Sequence, residues 1–214
     1  MKVLVVGSNG QIGQHLIHFL KENKEHTVRA MVRKQEQADA YQKQGVETVL
    51  ADLEGTVDSI AEAAKGCNAI VFTAGSGGKT GYEKTLLIDL DGAGKTIEAA
   101  EKAGIDRFIM ISAIQANNRK NWHDNIIPYY AAKHYADRML ESSRLNYTII
   151  RPGILLNETG TGKVAAAENI TYGSIPREDV ARAIVAALDE KNTYKRAFDL
   201  ITGDDSVVDA LQKI

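Results

Sequence analysis

The sequence predicts an α/β fold in which a doubly wound, mostly parallel sheet carries helices on both of its faces. Short apolar runs, many of them rich in valine and isoleucine, alternate with longer amphipathic stretches along the chain. The first run ends in a glycine-rich turn, and neither an internal repeat nor a linker interrupts the alternation. Because alternating strands and helices form right-handed βαβ units, we expect a single domain over residues 1–214.

Size and composition agree with one soluble domain. The chain has 214 residues, is 44% hydrophobic and 25% charged, and carries a formal net charge of −2. This balance gives no reason to expect a nucleic-acid or membrane partner. The single cysteine, Cys67, excludes an internal disulfide and a cysteine metal cluster. We expect a cytoplasmic monomer or homodimer that acts on a small molecule and holds no metal.

The first element is the β-branched run from Lys2 to Val6, which suits a strand buried on both faces. The pattern Gly7-x-x-Gly10-x-x-Gly13 follows it directly and opens an amphipathic helix. Gly7 permits the tight turn, Gly10 lets the backbone approach a pyrophosphate, and Gly13 lets the helix lie close to the strand. This position favours a dinucleotide-binding Rossmann fold over an ordinary strand-turn-helix joint. The predicted cofactor residues of the turn are Gly7, Ser8, Asn9, Gly10, Gln11, Ile12 and Gly13.

The second predicted strand, Thr27 to Val32, ends in two basic residues, Arg33 and Lys34. A basic residue here favours the 2′-phosphate of NADP, whereas an acidic one binds the ribose hydroxyls of NAD. The alternative is a pair of solvated charges, although two cations at a helix start are mildly unfavourable. We therefore expect NADP(H) to be favoured over NAD(H). Arg33 is the better candidate because a guanidinium grips phosphate with two hydrogen bonds.

The middle of the chain continues the alternation. Its predicted elements are a helix from Gln35 to Gln44, a strand from Glu47 to Ala51, a helix from Val57 to Ala64, a strand from Ala69 to Thr73, a helix from about Tyr82 to Ala103 and a strand from Arg107 to Ile111. Ligands bind at the carboxyl ends of parallel strands. Asp52, Leu53, Ala74 and Gly75 follow two of these strands and are candidate cofactor residues. The glycine-rich loop after residue 73 is equally well explained as a flexible linker.

The last part of the chain holds further elements and one interruption. The predicted elements are a helix from Tyr129 to Ser142, a strand from Tyr147 to Ile150, a helix from Arg177 to Leu188, a strand from Ala197 to Leu200 and a short helix from Ser206 to Leu211. Residues 151–175 interrupt the pattern, and we interpret them as a small insertion on the substrate side. Their apolar residues suggest a small, partly apolar carbonyl compound, quinone or flavin-like acceptor.

Five motifs occur in order along the chain. They are Gly7-x-x-Gly10-x-x-Gly13, Thr73-Ala74-Gly75, Ala103-Gly104-x-x-Arg107-Phe108 leading to Ser112, Tyr129-x-x-x-Lys133 and Arg151-Pro152-Gly153. As a set they resemble the short-chain dehydrogenase/reductase family, and in particular its compact atypical members, the NmrA-like and epimerase-like proteins. The resemblance implies that Tyr129 passes a proton to or from the substrate oxygen and that Ser112 orients the substrate. It also implies that Lys133 holds the nicotinamide ribose, and it places Pro152 among the cofactor residues.

The residue types support these roles independently of the resemblance. Tyr129 and Lys133 are four apart, so both project from one face of a helix. An ammonium beside a phenol lowers the tyrosine pKa toward the working range of an acid/base catalyst. Tyr130 is a second candidate because it lies nearly on the same face. The alternative for the whole set is a surface helix that packs against a dimer partner.

Two features depart from the common family pattern. Between Ser112 and Tyr129 lies a polar, aromatic insert, Gln115 to Asn125, which could be a substrate lid or a surface loop anchored by Trp122. Residues 151–175 would serve a large nucleotide sugar poorly. The leading hypothesis is an NADP-dependent oxidoreductase that reduces a small acceptor. The alternatives are a non-catalytic NADP(H)-binding redox sensor and an epimerase-like isomerase with tightly bound NAD(P).

Overall fold

The structure is a computed structural model and describes residues 1–78 and 80–214. The strands, numbered in chain order, are β1 (Lys2–Val6), β2 (Thr27–Val32), β3 (Glu47–Leu50), β4 (Ala69–Phe72), β5 (Arg107–Ile111), β6 (Asn146–Pro152), β7 (Ile154–Leu156), β8 (Lys163–Ala167), β9 (Ser174–Pro176), β10 (Arg196–Thr202) and β11 (Asp205–Ser206). The α-helices are α1 (Gln11–Glu22), α2 (Gln35–Gln42), α3 (Val57–Ala64), α4 (Tyr82–Lys84), α5 (Gly92–Ala103), α6 (Ile127–Glu141), α7 (Arg177–Asp189) and α8 (Val207–Gln212).

One large sheet organises the described chain. Its nine strands lie in the order β11-β8-β10-β6-β5-β4-β1-β2-β3. The strands from β10 through β3 pair in parallel, and β8 adds an antiparallel edge. Strand order reverses beside β1, which is the point where open parallel sheets bind ligands at their carboxyl ends. The predicted doubly wound Rossmann fold is confirmed.

The two faces of β1 show how the sheet holds its two helical layers. Val3 and Val5 are fully buried in a core that α1 and α7 cover, while Leu4 and Val6 are fully buried in the opposite core. Helices α3 and α5 cover that second core. Burial of each such side chain stabilises the folded state by about 1.5–3 kcal/mol relative to leaving it exposed to water. This burial on both faces explains why the strand reads as a continuous apolar run.

The long helix expected from about Tyr82 to Ala103 forms in three consecutive segments. Helix α4 is followed by a π-helical stretch, Thr85–Asp91, and then by α5. Gly104, with φ of +70°, ends α5 in the left-handed conformation that commonly closes helices. A π-helical stretch shifts the residues that follow around the helix axis, and such stretches are frequent at functional sites. The helical period of apolar residues in the sequence did not predict this π-helical stretch.

Residues 151–175 contain more regular structure than the sequence predicts. Within them β7 pairs in parallel with β9, and β8 joins the edge of the large sheet. A Cβ on Gly153 would overlap the carbonyl oxygen of Gly173, so glycine is needed where these two segments meet. The strands are short and depend on pairing partners distant in the chain, which is why no local pattern indicates them.

No helix within residues 1–78 and 80–214 has both the length and the apolar character needed to cross a lipid bilayer.

Candidate active site

The turn after β1 has the geometry that its three glycines predict. Gly7 has φ of +91°, and a Cβ there would lie 2.5 Å from the backbone nitrogen of Ala74. A Cβ on Gly13 would overlap the carbonyl oxygen of Gly7. Gly10 occupies the N-cap of α1, where it has no side chain to cap the first amides. The turn therefore offers free N–H groups at the positive end of a helix, which is an arrangement that binds anions.

A cavity of about 390 Å³ opens beside this turn, at the carboxyl edge of β1 to β4. Nine of the predicted cofactor residues line it: Gly7, Ser8, Asn9, Gly10, Arg33, Asp52, Leu53, Ala74 and Gly75. The others lie outside the lining that the described residues form. Gln11, Ile12 and Gly13 belong to α1 behind the turn, Lys133 lies on α6, and Pro152 is buried in β6.

The far wall of the cavity is charged. Arg33 is exposed there, and Gln37 Oε1 accepts the backbone N–H groups of Arg33 and Lys34 at 3.2 Å each. Lys84 and Glu54 also line the cavity and form an ion pair of 2.6 Å. Gln37, Glu54 and Lys84 are functional candidates that the sequence analysis missed. They lie on helices and loops whose local pattern gave no signal for a binding site.

A second group of polar side chains lies around α6. Lys133 Nζ is 5.7 Å from the centre of the Tyr129 ring and donates a hydrogen bond of 3.3 Å to the carbonyl oxygen of Ile111. It also lies 3.1 Å from Asp89 Oδ1 on the π-helical stretch. Lys133 is 5% exposed and Asp89 is 1% exposed, so this is a buried ion pair. The spacing in the sequence predicted that Tyr129 and Lys133 lie close together, but it did not predict Asp89 as their neighbour.

The charges around Tyr129 correct one prediction. Burial raises the pKa of Tyr129, Lys133 lowers it, and Asp89 and Asp137 raise it, so that the pKa is above its ordinary value. The predicted lowering is wrong for this structure. Burial lowers the pKa of Lys133, but Tyr129, Asp89 and Asp137 together raise it. Lys133 therefore stays charged, and its effect on the phenol is opposed by Asp89 and Asp137.

Ser112 lies directly after β5 and is 3% exposed. Burial raises the pKa of Asp137 on α6, while Arg151 and a contact from the Ser112 hydroxyl lower it; the net shift is upward. Arg151 Nε lies 2.8 Å from Asp137 Oδ2. Three buried oxygens around Lys133 lack a well-aligned hydrogen-bond partner in the described chain: Asp89 Oδ1, Ser112 Oγ and Asp137 Oδ1. A buried polar atom without a partner costs about 1–3 kcal/mol, so this cluster has capacity for a bound polar group.

Asp137 is a further residue that the sequence analysis missed, and here a signal was available. It lies one helical turn beyond Lys133 on α6, so the same spacing argument that joined Tyr129 to Lys133 extends to it. Asp89 gave no such signal because its partner lies on a different helix. Among the described residues, no three His, Cys, Asp or Glu side chains are grouped so as to hold a metal ion.

The insert before α6 is held down by its aromatic residue. Trp122 stacks on Tyr130 with ring centres 5.9 Å apart, and its indole N–H donates to the carbonyl oxygen of Ala116 at 3.1 Å. Tyr130 is 8% exposed and packs with Ala113 and Ala116. In this structure Trp122 anchors the insert, which agrees with the second of the two alternatives. Tyr130 belongs to that anchor, whereas Tyr129 contacts Lys133.

Comparison with known proteins agrees with this geometry. Residues 7–191 match the NAD(P)H-binding family. The chain belongs to this family. Within the short-chain dehydrogenases/reductases it is an atypical member, as its motifs predicted, and its relatives include oxidoreductase-like and epimerase-like proteins.

Three family relatives show the range of names that the fold carries. The protein YhfK of Bacillus subtilis, named an uncharacterized sugar epimerase, is 60% identical over 214 residues, which is 100% of both chains. A solved protein from Bacillus halodurans, described as a candidate NAD-dependent epimerase/dehydratase, has a TM-score of 0.94 at 41% identity over 100% of both chains. The anaerobillin reductase ChuY of Escherichia coli O157:H7 has a TM-score of 0.83 at 25% identity, covering 96% of this chain and 99% of that one.

The cofactor of the NAD(P)H-binding family fits the site on two structural observations. Around Gly7 there is no space for a side chain, which lets the backbone approach a bound pyrophosphate closely. Around Lys133, the oxygens of Asp89, Ser112 and Asp137 that lack a well-aligned hydrogen bond are polar groups of the kind that bind ribose hydroxyls. The two regions are joined through the loop after β4, since Gly75 and Ser76 line the cavity and the Ser76 N–H donates to Asp89 Oδ2 at 2.9 Å.

Proposed function

We propose that this protein is an NADP-dependent oxidoreductase that reduces a small carbonyl, quinone or flavin-like acceptor, with Tyr129 as the acid/base residue. The observation that carries the proposal is the connection, through the loop after β4, between the glycine-turn cavity and the cluster of the half-buried Tyr129 with the buried Lys133. The cofactor, when bound, supplies the hydride. The chain must then position the acceptor and deliver a proton to it.

Tyr129 can serve the acid step of a reduction. Its raised pKa keeps the phenol protonated at neutral pH, so it is ready to donate a proton to an oxygen that gains a hydride. Lys133 remains charged nearby and attracts the phenolate that this donation leaves behind. Ser112, whose hydroxyl is buried beside Asp137, would orient the acceptor oxygen.

The preference for NADP rests on Arg33. Its guanidinium is exposed at the cavity wall after β2, where the adenosine ribose of a dinucleotide lies in this fold. Gln37 fixes the backbone at this point by accepting two N–H groups, which directs the side chain of Arg33 from a defined position. An arginine so placed would grip a 2′-phosphate with two charge-assisted hydrogen bonds.

Apolar side chains near the end of β6 support a partly apolar acceptor. Ile154 on β7 is 54% exposed, and Tyr172, just before β9, is 78% exposed. The N–H of Ile154 donates to the carbonyl oxygen of Gly173 at 2.9 Å, so Ile154 and Tyr172 belong to neighbouring segments and are candidate contacts for an apolar acceptor. The relative ChuY is named a reductase, and an acceptor for hydride from NADPH is consistent with that name.

The deciding experiment is NADPH oxidation against a panel of quinones, aldehydes, ketones and flavins. A general acid contributes about 10²–10⁴ to a rate, so Tyr129→Phe should lower kcat/KM by at least about 100-fold while NADPH affinity stays unchanged. Tyr130→Phe is the matched control. It removes a tyrosine hydroxyl at the neighbouring position, from the ring that stacks on Trp122. Turnover by Tyr129→Phe at the wild-type rate would remove this residue from the mechanism.

A second candidate is an epimerase-like isomerase that keeps its cofactor bound through turnover. The names of YhfK and of the Bacillus halodurans protein favour it. It predicts NAD(P) that remains with the protein through purification and desalting, whereas a reductase exchanges its cofactor. A sensor without chemistry is less well supported, because it gives no role to the pair of Tyr129 and Lys133.

A further inference from the structure

Asp89 connects two parts of the site that are far apart in the chain. Its Oδ2 accepts the backbone N–H of Ser76 at 2.9 Å, and its Oδ1 lies 3.1 Å from Lys133 Nζ. Ser76 belongs to the loop that lines the dinucleotide cavity. One buried carboxylate thus contacts both the cofactor loop and the lysine of the acid/base pair.

The local structure brings Asp89 to this place. Asp89 and Thr85 are the buried residues of the π-helical stretch, and Thr85 Oγ1 lies 3.2 Å from Ser76 Oγ. A Cβ on Gly75 would approach Asp89 Oδ1 to 3.1 Å, which is tighter than ordinary packing. The glycine, the two buried side chains and the widened helix together hold the loop against α6.

Stability alone does not account for this carboxylate. Removing a carboxylate from water costs several kcal/mol, and replacing a buried ion pair by apolar residues is often neutral or stabilising. Asp89 Oδ1 also lacks a well-aligned hydrogen bond among the described residues, so the pair with Lys133 is not an optimised structural contact. A buried charge at this location therefore points to a role in the site.

We propose that Asp89 is a positioning residue whose single carboxylate fixes the loop 74–78 through Ser76 and sets the charge environment of Lys133 and Tyr129. Because it assigns the acid/base role to Tyr129, this inference rests on the proposed function. The charged groups that face Tyr129 are Lys133, Asp89 and Asp137, and those that face Lys133 are Asp89 and Asp137. Asp89 is the group among these that also holds the loop.

The lysine half of the proposal is tested with Asp89→Asn, which removes the charge and nearly preserves the shape. Loss of a negative charge beside a phenol favours the phenolate, so Tyr129 should ionise about one pH unit lower than in the wild type. Tyrosinate absorbance is recorded against pH without substrate, and each protein is compared with its Tyr129→Phe derivative, because the chain has eight tyrosines. Asp91→Asn is the control, since Asp91 is exposed and pairs with Lys95 on the same helix.

The loop half is tested by amide hydrogen exchange of the peptide that contains Ser76. Asp89→Ala removes the acceptor of the Ser76 N–H, so exchange at Ser76 should become at least about tenfold faster than in the wild type. Asp89→Asn keeps an oxygen acceptor, so its exchange at Ser76 should be slower than that of Asp89→Ala. Asp89→Leu removes the same acceptor with a larger side chain and replaces Asp89→Ala if that variant does not fold. Asp91→Asn should leave the exchange unchanged.

Two results would overturn the proposal. If folded Asp89→Asn shows the wild-type ionisation of Tyr129, the carboxylate does not set the charge environment of the pair. If exchange at Ser76 is unchanged in Asp89→Ala and Asp89→Leu, it does not hold the loop. Neither measurement needs turnover. Absence of reductase activity would refute the proposed function, and both tests of Asp89 could still be interpreted.

Discussion

The acid/base role proposed for Tyr129 depends on charges that its phenol meets only in the folded chain. Spacing on α6 brings Lys133 near it, and this alone predicts a lowered pKa. The structure adds burial and the carboxylates of Asp89 and Asp137, and the pKa is raised instead. The proposed role of Tyr129 therefore starts from a protonated phenol, which can donate a proton to an acceptor oxygen.

Arg33 is the residue whose contribution is most directly measured by binding. Replacing Arg33 by alanine removes charge-assisted hydrogen bonds worth about 1.5–3 kcal/mol each, so NADPH affinity should fall by about tenfold or more. NADH has no 2′-phosphate, and its affinity should stay nearly constant. The ratio of the two affinities is measured by fluorescence titration. Lys34→Ala is the control, and an unchanged ratio in Arg33→Ala would withdraw the preference for NADP.

At the scale of elements, α6 carries most of the polar cluster and is tied to the sheet by a buried ion pair. Asp137 on α6 and Arg151 on β6 are 1% and 2% exposed, with 2.8 Å between Oδ2 and Nε. The pair fixes the rotation of α6, and with it the direction in which Tyr129 and Lys133 project. The π-helical stretch performs the corresponding task for Asp89 on the other side of Lys133.

The Asp137–Arg151 pair gives a stability prediction. Asp137→Ala leaves a buried guanidinium without its main partner, which is strongly destabilising and should lower the free energy of unfolding by about 3–5 kcal/mol. Lys102→Ala breaks an ion pair with Asp58 on the surface and should change it by about 0–1 kcal/mol. Chemical denaturation of both variants gives the comparison. If both variants lose the same free energy of unfolding, the buried pair contributes no more to stability than the surface pair.

At the scale of the whole molecule, the sheet gathers loops from distant parts of the chain at one edge. The loops after β1, β2, β3 and β4 all line the same cavity, because parallel strands bring their carboxyl ends together. A ligand that bridges these loops links elements from across the fold. Cofactor binding should therefore stabilise the molecule as a whole.

Thermal unfolding measures this linkage. At a free NADPH concentration about 100 times its Kd, binding adds about 2.7 kcal/mol to the free energy of unfolding. For a domain of this size that should raise the Tm by roughly 5–10 °C. NADH at the same concentration should raise it less. A Tm that NADPH does not change would contradict cofactor binding in the native state.

Patterns over a few residues predicted much of this protein. The strand from Lys2 to Val6, the turn from Gly7 to Gly13 and the helix after it follow from period, composition and glycine spacing. The order of strands and helices then predicts the parallel sheet, and the sheet predicts which loops meet. These features depend on steric and hydrophobic preferences that neighbouring residues already express.

Contacts between distant residues required the tertiary structure. Asp89 and Lys133 lie on different helices, and the strands within residues 151–175 pair with segments far along the chain, so no local period indicates either. The raised pKa of Tyr129 belongs to the same class, because it sums burial and charges from several elements. The sequence by itself determined the fold and indicated the candidate residues for binding and reaction. Tertiary structure decided their charge states and their coupling, because electrostatic energies depend on distances and burial that only the folded chain defines.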